Sequence, residues 1–160
     1  KYHLDGHRKC GIRMTPTETR QQHGRCPVCG RAVTVGVMNR IDTLADRPEG
    51  TTPSQAVPFK HMVPLEEIIA EALEVGVGTQ TVEREYQPLV HHFGTEFAVL
   101  LSAPEEELRK TANQKVAEGI LLVRQGRVHV EPGYDGEYGK VRLFEGEPAA
   151  AAGEQQMTLF

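Results

Sequence analysis

Three cysteines decide what the first part of this chain can be. Cys26-Pro27-Val28-Cys29-Gly30 is a knuckle: its two-residue spacing lets both thiolates face one ion, and Gly30 permits the tight turn that aims backbone amides at the sulfurs. Cys10 completes the set of 3 cysteines, and an odd count argues against a disulfide framework and for a reducing, cytoplasmic compartment. Structural zinc wants four ligands in a tetrahedron. His7-Arg8-Lys9-Cys10 repeats the knuckle spacing with His in place of the first Cys, so the expected site is His7, Cys10, Cys26 and Cys29. His23, three residues before Cys26, and His3 compete for the fourth position, and free thiols are the plain alternative. A segment this short cannot bury enough apolar surface to fold alone, whereas structural Zn2+ supplies roughly 10–16 kcal/mol of folding free energy. With all four positions filled by protein, no place is left for a catalytic water.

Charge is divided between the two ends of the 160-residue chain. Residues 1–47 hold 9 Lys+Arg against 4 Asp+Glu, while the remaining 113 hold 9 against 18. A basic module joined to an acidic body is expected when one part faces nucleic acid, although small zinc modules are often basic for no such reason. The candidate phosphate contacts are Arg8, Lys9, Arg13, Arg25, Arg31 and Arg40.

Local patterns give a coarse fold. Thr15-Pro16-Thr17-Glu18 is a capping box opening a short helix that should run to about His23. Ala32 to Val37 alternates like a strand, and Met38, Ile41, Leu44 and Ala45 recur at helical spacing. Pro48 to Pro58 has the composition of an exposed linker. Beyond it, Leu65, Ile68, Ile69, Ala72 and Leu73 share one helix face that should close at Gly76. Thr79 caps a second helix, which Pro88 should kink and Gly94 end. Phe97 to Leu101 is an apolar run of undecided type. Ser102 to Glu105 has capping-box spacing before a longer third helix ending at Gly126. Val128–Val130 and Val141–Phe144 suggest a hairpin around the loop Pro132 to Gly139. The expected fold is therefore α+β, mainly α. A zinc-ribbon or knuckle module (1–47) and a linker (48–58) precede a helical domain with a terminal β-hairpin (59–144) and a flexible tail (145–160).

Other motifs carry less chemistry. Gly76-Val77-Gly78 between two helices resembles a helix-hairpin-helix turn that offers amides to a phosphate. Ordinary αα-hairpins end the same way, however, and Glu74, Glu83 and Glu85 stand nearby. His91-His92 lacks partners at ligand spacing and suits a helix C-terminus. Tyr134 and Tyr138 in the glycine-rich loop could stack on bases or simply pack the loop. No GxxxxGK[ST], HExxH or GxSxG motif occurs, so no ATPase or familiar hydrolase site is expected in this chain. No apolar run approaches the roughly 18 residues a bilayer crossing needs. At the far end, Gln156-Met157-Thr158-Leu159-Phe160 resembles the bacterial Gln-Leu-x-Leu-Phe peptide that docks on the β sliding clamp. Gln156, Met157, Leu159 and Phe160 would be its anchors, unless a terminus merely happens to end in apolar residues.

Taken together these features resemble the C-terminal region of the endonuclease Q family. The resemblance is carried by Tyr2-His3-Leu4, the zinc half-sites, Gly36-Val37 with Arg40, and Leu44-Ala45-Asp46-Arg47. Pro58-Phe59-Lys60, Pro64-Leu65, Glu67 to Leu73 and the Pro132–Gly139 loop extend it over most of residues 2–144. His7 departs from the family's Cys but keeps a zinc ligand. The resemblance implies a parent protein in which a PHP-type metal-dependent nuclease domain precedes this region and cuts DNA beside deaminated bases. Its partners would be DNA and the sliding clamp. Some members are described as UvrD/Rep helicase-like, though nothing in this chain supports helicase chemistry. The opening at Lys1, already inside a motif, fits a piece of such a longer protein, with catalytic ligands upstream. The alternative is a scaffold that packs on the missing catalytic domain, binds no DNA, and tethers the enzyme to the clamp.

Overall fold

A buried carboxylate and a few glycines shape the N-terminal part. β1 (Asp5–His7) pairs antiparallel with β2 (Ile12–Met14), placing Asp5 opposite Met14 and His7 opposite Ile12. A 3-10 turn, Arg8–Cys10, joins them and ends on Gly11 at φ 65°, a conformation cheap only for glycine. α1 (Pro16–Gln21) carries the complete expected capping box: Thr15 Oγ1 accepts from the Glu18 amide, and Glu18 accepts from the Thr15 amide at 2.7 Å. The Thr15 amide, and the Thr15 hydroxyl donating to the same carboxylate at 2.9 Å, hold the Glu18 carboxyl below its usual range.

The strand expected over Ala32–Val37 does not form. Only isolated bridges occur, Arg25 to Ala32 and Gly6 to Thr34, and Val37 already begins α2 (Val37–Leu44). The cause is Asp5, which is fully buried. Its carboxylate accepts the Gly36 amide at 2.6 Å and the Asn39 side-chain amide at 2.7 Å, fixing a helix start where a strand would continue. Gly36 also lies so close to the carbonyls of His3 and Leu4 that no Cβ would fit.

The structure, a computed structural model, describes residues 1–144. Their contacts divide into two units: Lys1–His61 with His129–Val141, and Met62–Val128 with the chain from Arg142. By contacts, β3 (His129–Glu131), the hairpin loop and the first two residues of β4 (Lys140–Arg142) cluster with the first unit, whereas Arg142 clusters with the helices. The Gly133 carbonyl accepts from the amides of His3 and Leu4, at 3.1 and 3.0 Å, which ties this loop back to the N-terminus.

The second unit is a bundle of five helices: α3 (Leu65–Ala72), α4 (Gln80–Phe93), α5 (Glu96–Leu101), α6 (Glu105–Thr111) and α7 (Gln114–Arg124). Leu65, Ile68 and Ile69 of α3 are fully buried against side chains such as Val82, Leu89, Val116 and Ile120. α3 ends sooner than expected, with Glu74 at φ 56° and the Val75 amide reaching back to Ala70. α4 runs unbroken through Pro88 from its Thr79 cap to Gly94. The undecided run Phe97–Leu101 is helical because Thr95 caps it. The long third helix is really two. Ala112 is extended, and the Asn113 side chain caps the Lys115 amide to start α7 afresh. Ser102 does not cap α6; its hydroxyl donates to Ala98 instead. Arg124 satisfies the last carbonyls around α5, donating to Val99, Leu100 and Ala103 at 2.6–3.0 Å. No helix among the described residues is long and apolar enough to cross a membrane.

Gly119, in the middle of α7, lies where a Cβ would be 2.9 Å from Ile68 Cγ2 and 3.4 Å from Phe144 Cζ. Helix propensity alone favours alanine there by about 1 kcal/mol. Because β-branched Ile68 is stiff in a helix, Gly119→Ala should nevertheless destabilise the bundle by about 1 kcal/mol. Urea unfolding followed by circular dichroism checks this, and a raised midpoint would contradict it.

Candidate metal centre and nucleic-acid interface

β1 delivers His7 and the 3-10 turn delivers Cys10, while the knuckle after α1 delivers Cys26 and Cys29. Their ligand atoms all lie within 4.8 Å of one another, and among the described residues they are the one such group of His, Cys, Asp or Glu. Neither His3 nor His23 joins them. His7 Nδ1 is 3.3 Å from Cys29 Sγ. A tetrahedral zinc with Zn–S bonds of about 2.3 Å spaces its sulfurs about 3.8 Å apart, so the three sulfurs and one nitrogen fit a single ion.

The thiols are also electrostatically sorted. Burial pushes the Cys26 thiol up, but amides of Cys29 and Val28, with the His7 and Cys29 side chains, together outweigh it and lower its pKa to about 6. Cys10 rises to about 11 through burial and through the neighbouring Cys29 and Cys26. Cys10 therefore keeps its proton near neutral pH in the metal-free cluster, whereas a divalent cation would draw it off. The apolar core beside the site is only Met14, Cys26 and Val33, with Cys10 and Ile12 at its margin. Two of those five residues, Cys10 and Cys26, belong to the candidate ligand set.

Asp135 supports the site from far along the chain. Its carboxylate accepts the Arg8 amide at 2.6 Å, inside the turn between His7 and Cys10, and the Thr34 hydroxyl at 2.5 Å. Thr34 first, then Arg8, holds this carboxyl below the usual range. With these bonds made, Asp135 serves the fold. His91 and His92 lie in the last turn of α4, where His92 lies 3.9 Å from Glu107. Asp5 and Asp135 are the supporting residues that sequence reading missed, since neither stands near its partners in the chain.

The six candidate phosphate contacts, Arg8, Lys9, Arg13, Arg25, Arg31 and Arg40, are all exposed. Arg25 also braces the knuckle by donating to the Gly30 carbonyl at 3.1 Å, and Arg13 lies 5.4 Å over the Tyr134 ring. Several carboxylates of the unit are engaged inward or paired: Asp5, Asp135, Glu18 in its capping box, and Asp42 with Arg20. Gly76–Gly78 joins α3 to α4 with Gly78 at φ 81°, and the adjacent Glu74 is paired to Lys115 at 2.9 Å. Residues Gln156, Met157, Leu159 and Phe160 lie outside the described residues.

Fold and site define a class: a small module carrying a Cys3His cluster that could hold a metal ion, followed in sequence by a compact helical bundle. The family description "MJ0043 C-terminal domain" matches residues 64–127. The uncharacterized protein MJ0043 of Methanocaldococcus jannaschii is 34% identical over 88% of this chain and 18% of its own length. The uncharacterized protein YqxK of Bacillus subtilis is 33% identical over 89% of the chain and 33% of its own. The crystal structure of PfuEndoQ, a lesion-specific endonuclease from Pyrococcus furiosus, superposes with a TM-score of 0.77 at 32% identity, covering 89% of this chain and 35% of that one. An endonuclease Q complex with a 27-mer duplex substrate bearing an abasic lesion superposes at 0.73 and 32% identity, over 91% and 36%. The chain is consistent, in sequence and in fold, with the C-terminal region of the endonuclease Q family. It spans between about a fifth and a third of the relatives it matches.

The purified chain should contain one divalent metal ion per molecule by elemental mass spectrometry, and Cys10→Ala should reduce that content severalfold. Asp135→Asn should keep the metal but lower the stability of the N-terminal unit by about 1 kcal/mol, the usual worth of one such hydrogen bond. Equal metal content in the Cys10→Ala variant would contradict the four-ligand assignment.

Proposed function

We propose that this chain is the zinc-stabilised, DNA-binding C-terminal region of a DNA-repair endonuclease that acts on deaminated bases, with the PHP-type catalytic domain in a part of the protein outside this sequence. One observation carries the reading: similarity to lesion-specific endonuclease structures extends over about nine-tenths of the chain, metal module included. Zinc is the ion that three thiolates and one imidazole favour. It has a structural role, because the protein fills all four positions. DNA is the partner that the exposed cations would meet, and the cytoplasm is the compartment in which the thiols stay reduced. The tail Gln156–Phe160 would recruit the β sliding clamp.

A second reading, the scaffold, has its own support. Val37, Ile41 and Leu44 of α2 are 56%, 51% and 63% exposed, an apolar helix face suited to a protein neighbour. In that case the isolated chain would bind no DNA, and deleting Gln156–Phe160 would abolish clamp binding.

The two readings separate in a fluorescence-anisotropy titration of the zinc-loaded chain against matched normal and hypoxanthine-containing duplexes. If the six cations meet phosphates, affinity should fall about a thousandfold between 50 and 200 mM salt. Replacing Arg8 or Arg40 by Ala should reduce the salt slope by about one each. A flat salt response, or no binding at all, would leave the scaffold reading.

A further inference from the structure

Resting on the DNA-binding reading, we infer that Tyr2 and Tyr138, flanked by Lys1 and Arg8, form a stacking platform for unpaired nucleotides that Asp135 fastens to the metal-binding turn. The two tyrosines of the hairpin loop do different work. Tyr134 is an anchor: its ring lies against Gly6, where a Cβ would stand 2.5 Å from Tyr134 Cδ2, and Gly6 directly precedes the ligand His7. Its amide and carbonyl bond Glu137 at 3.1 and 2.7 Å. Tyr134 therefore offers little face to a base.

Tyr138 is 74% exposed, and Lys1 Nζ stands 4.7 Å from its ring centre. Tyr2, which sequence reading used only as part of a motif, is 51% exposed. A Cβ built on Gly136 would lie 3.6 Å from Arg8 Nη1 and 3.9 Å from the Tyr2 hydroxyl, so the loop, Tyr2 and Arg8 share one surface. The loop is tightly folded on itself. Gly133 and Gly139 approach so closely that a Cβ on either would meet the other's backbone or its neighbours within 2.9 Å. Gly136 is at φ 88°, which turns the chain between the anchor and the exposed ring.

The chemistry points to unpaired rather than duplex nucleic acid. Exposed aromatic rings gain from stacking only where a base is free of its own stack, and neighbouring cations then hold the adjoining phosphates. A duplex offers the same phosphates but no free base face. Glu137, exposed in the same loop, is the one loop carboxylate not turned inward and opposes the phosphates.

Binding of the zinc-loaded chain to a single strand, to the same strand as duplex, and to a duplex with a short unpaired loop tests this at fixed salt. The expected result is tighter binding to the two unpaired forms. Tyr138→Ala and Tyr2→Ala should each lower the unpaired-to-duplex affinity ratio by about tenfold, and Tyr138→Phe should preserve it. Both rings are exposed, so metal content and circular dichroism should match the parent chain. Duplex binding with no preference for unpaired DNA would overturn the platform while leaving the DNA-binding reading standing. A preference unchanged in both alanine variants would do the same. No binding to any form would overturn both.

Discussion

The N-terminal unit is organised around four potential ligand atoms that converge from two places in the chain. Met14, Cys26 and Val33 are too little buried apolar surface to hold two short strands and two short helices together. A metal ion held by His7, Cys10, Cys26 and Cys29 would supply the closure that the core cannot. The second unit needs no such device. Its core draws buried side chains from all five helices, and Arg124, Asn113 and Thr79 satisfy helix ends that would otherwise be unpaired.

Around the metal ligands the unit is braced by carboxylates rather than by packing. Asp5 fixes the start of α2 and stands two residues before His7. Asp135 reaches the turn between His7 and Cys10 from 127 positions away. Through that bond, the loop carrying Tyr134 and Tyr138 becomes part of the metal module, although the whole helical bundle separates them in sequence. On the proposed reading, the DNA surface would therefore depend on a bound metal that itself touches no DNA.

Local signals were legible, and long-range ones were not. The knuckle, the His7–Cys10 half-site, the Thr15 capping box and the faces of α3 and α4 each declare themselves within a few residues, because spacing and capping are short-range physics. Ala32–Val37 misled because strand-like alternation cannot reveal that Asp5 will claim the Gly36 amide. The break at Ala112–Asn113 was hidden by apolar spacing that continues across it, although Asn113 is itself a good cap. The return of residues 129–141 to the first unit rests on Gly133, Tyr134 and Asp135 meeting partners near the N-terminus, a pairing no local pattern encodes.

The most direct test of metal-dependent organisation is hydrogen–deuterium exchange, read by mass spectrometry, with and without a zinc chelator. Removing the metal should deprotect residues 4–14 and 25–36 together with the distant loop 132–139, while residues 65–124 keep their protection. If 132–139 stays protected when the knuckle opens, the loop is held by something other than the metal module, and the central claim fails.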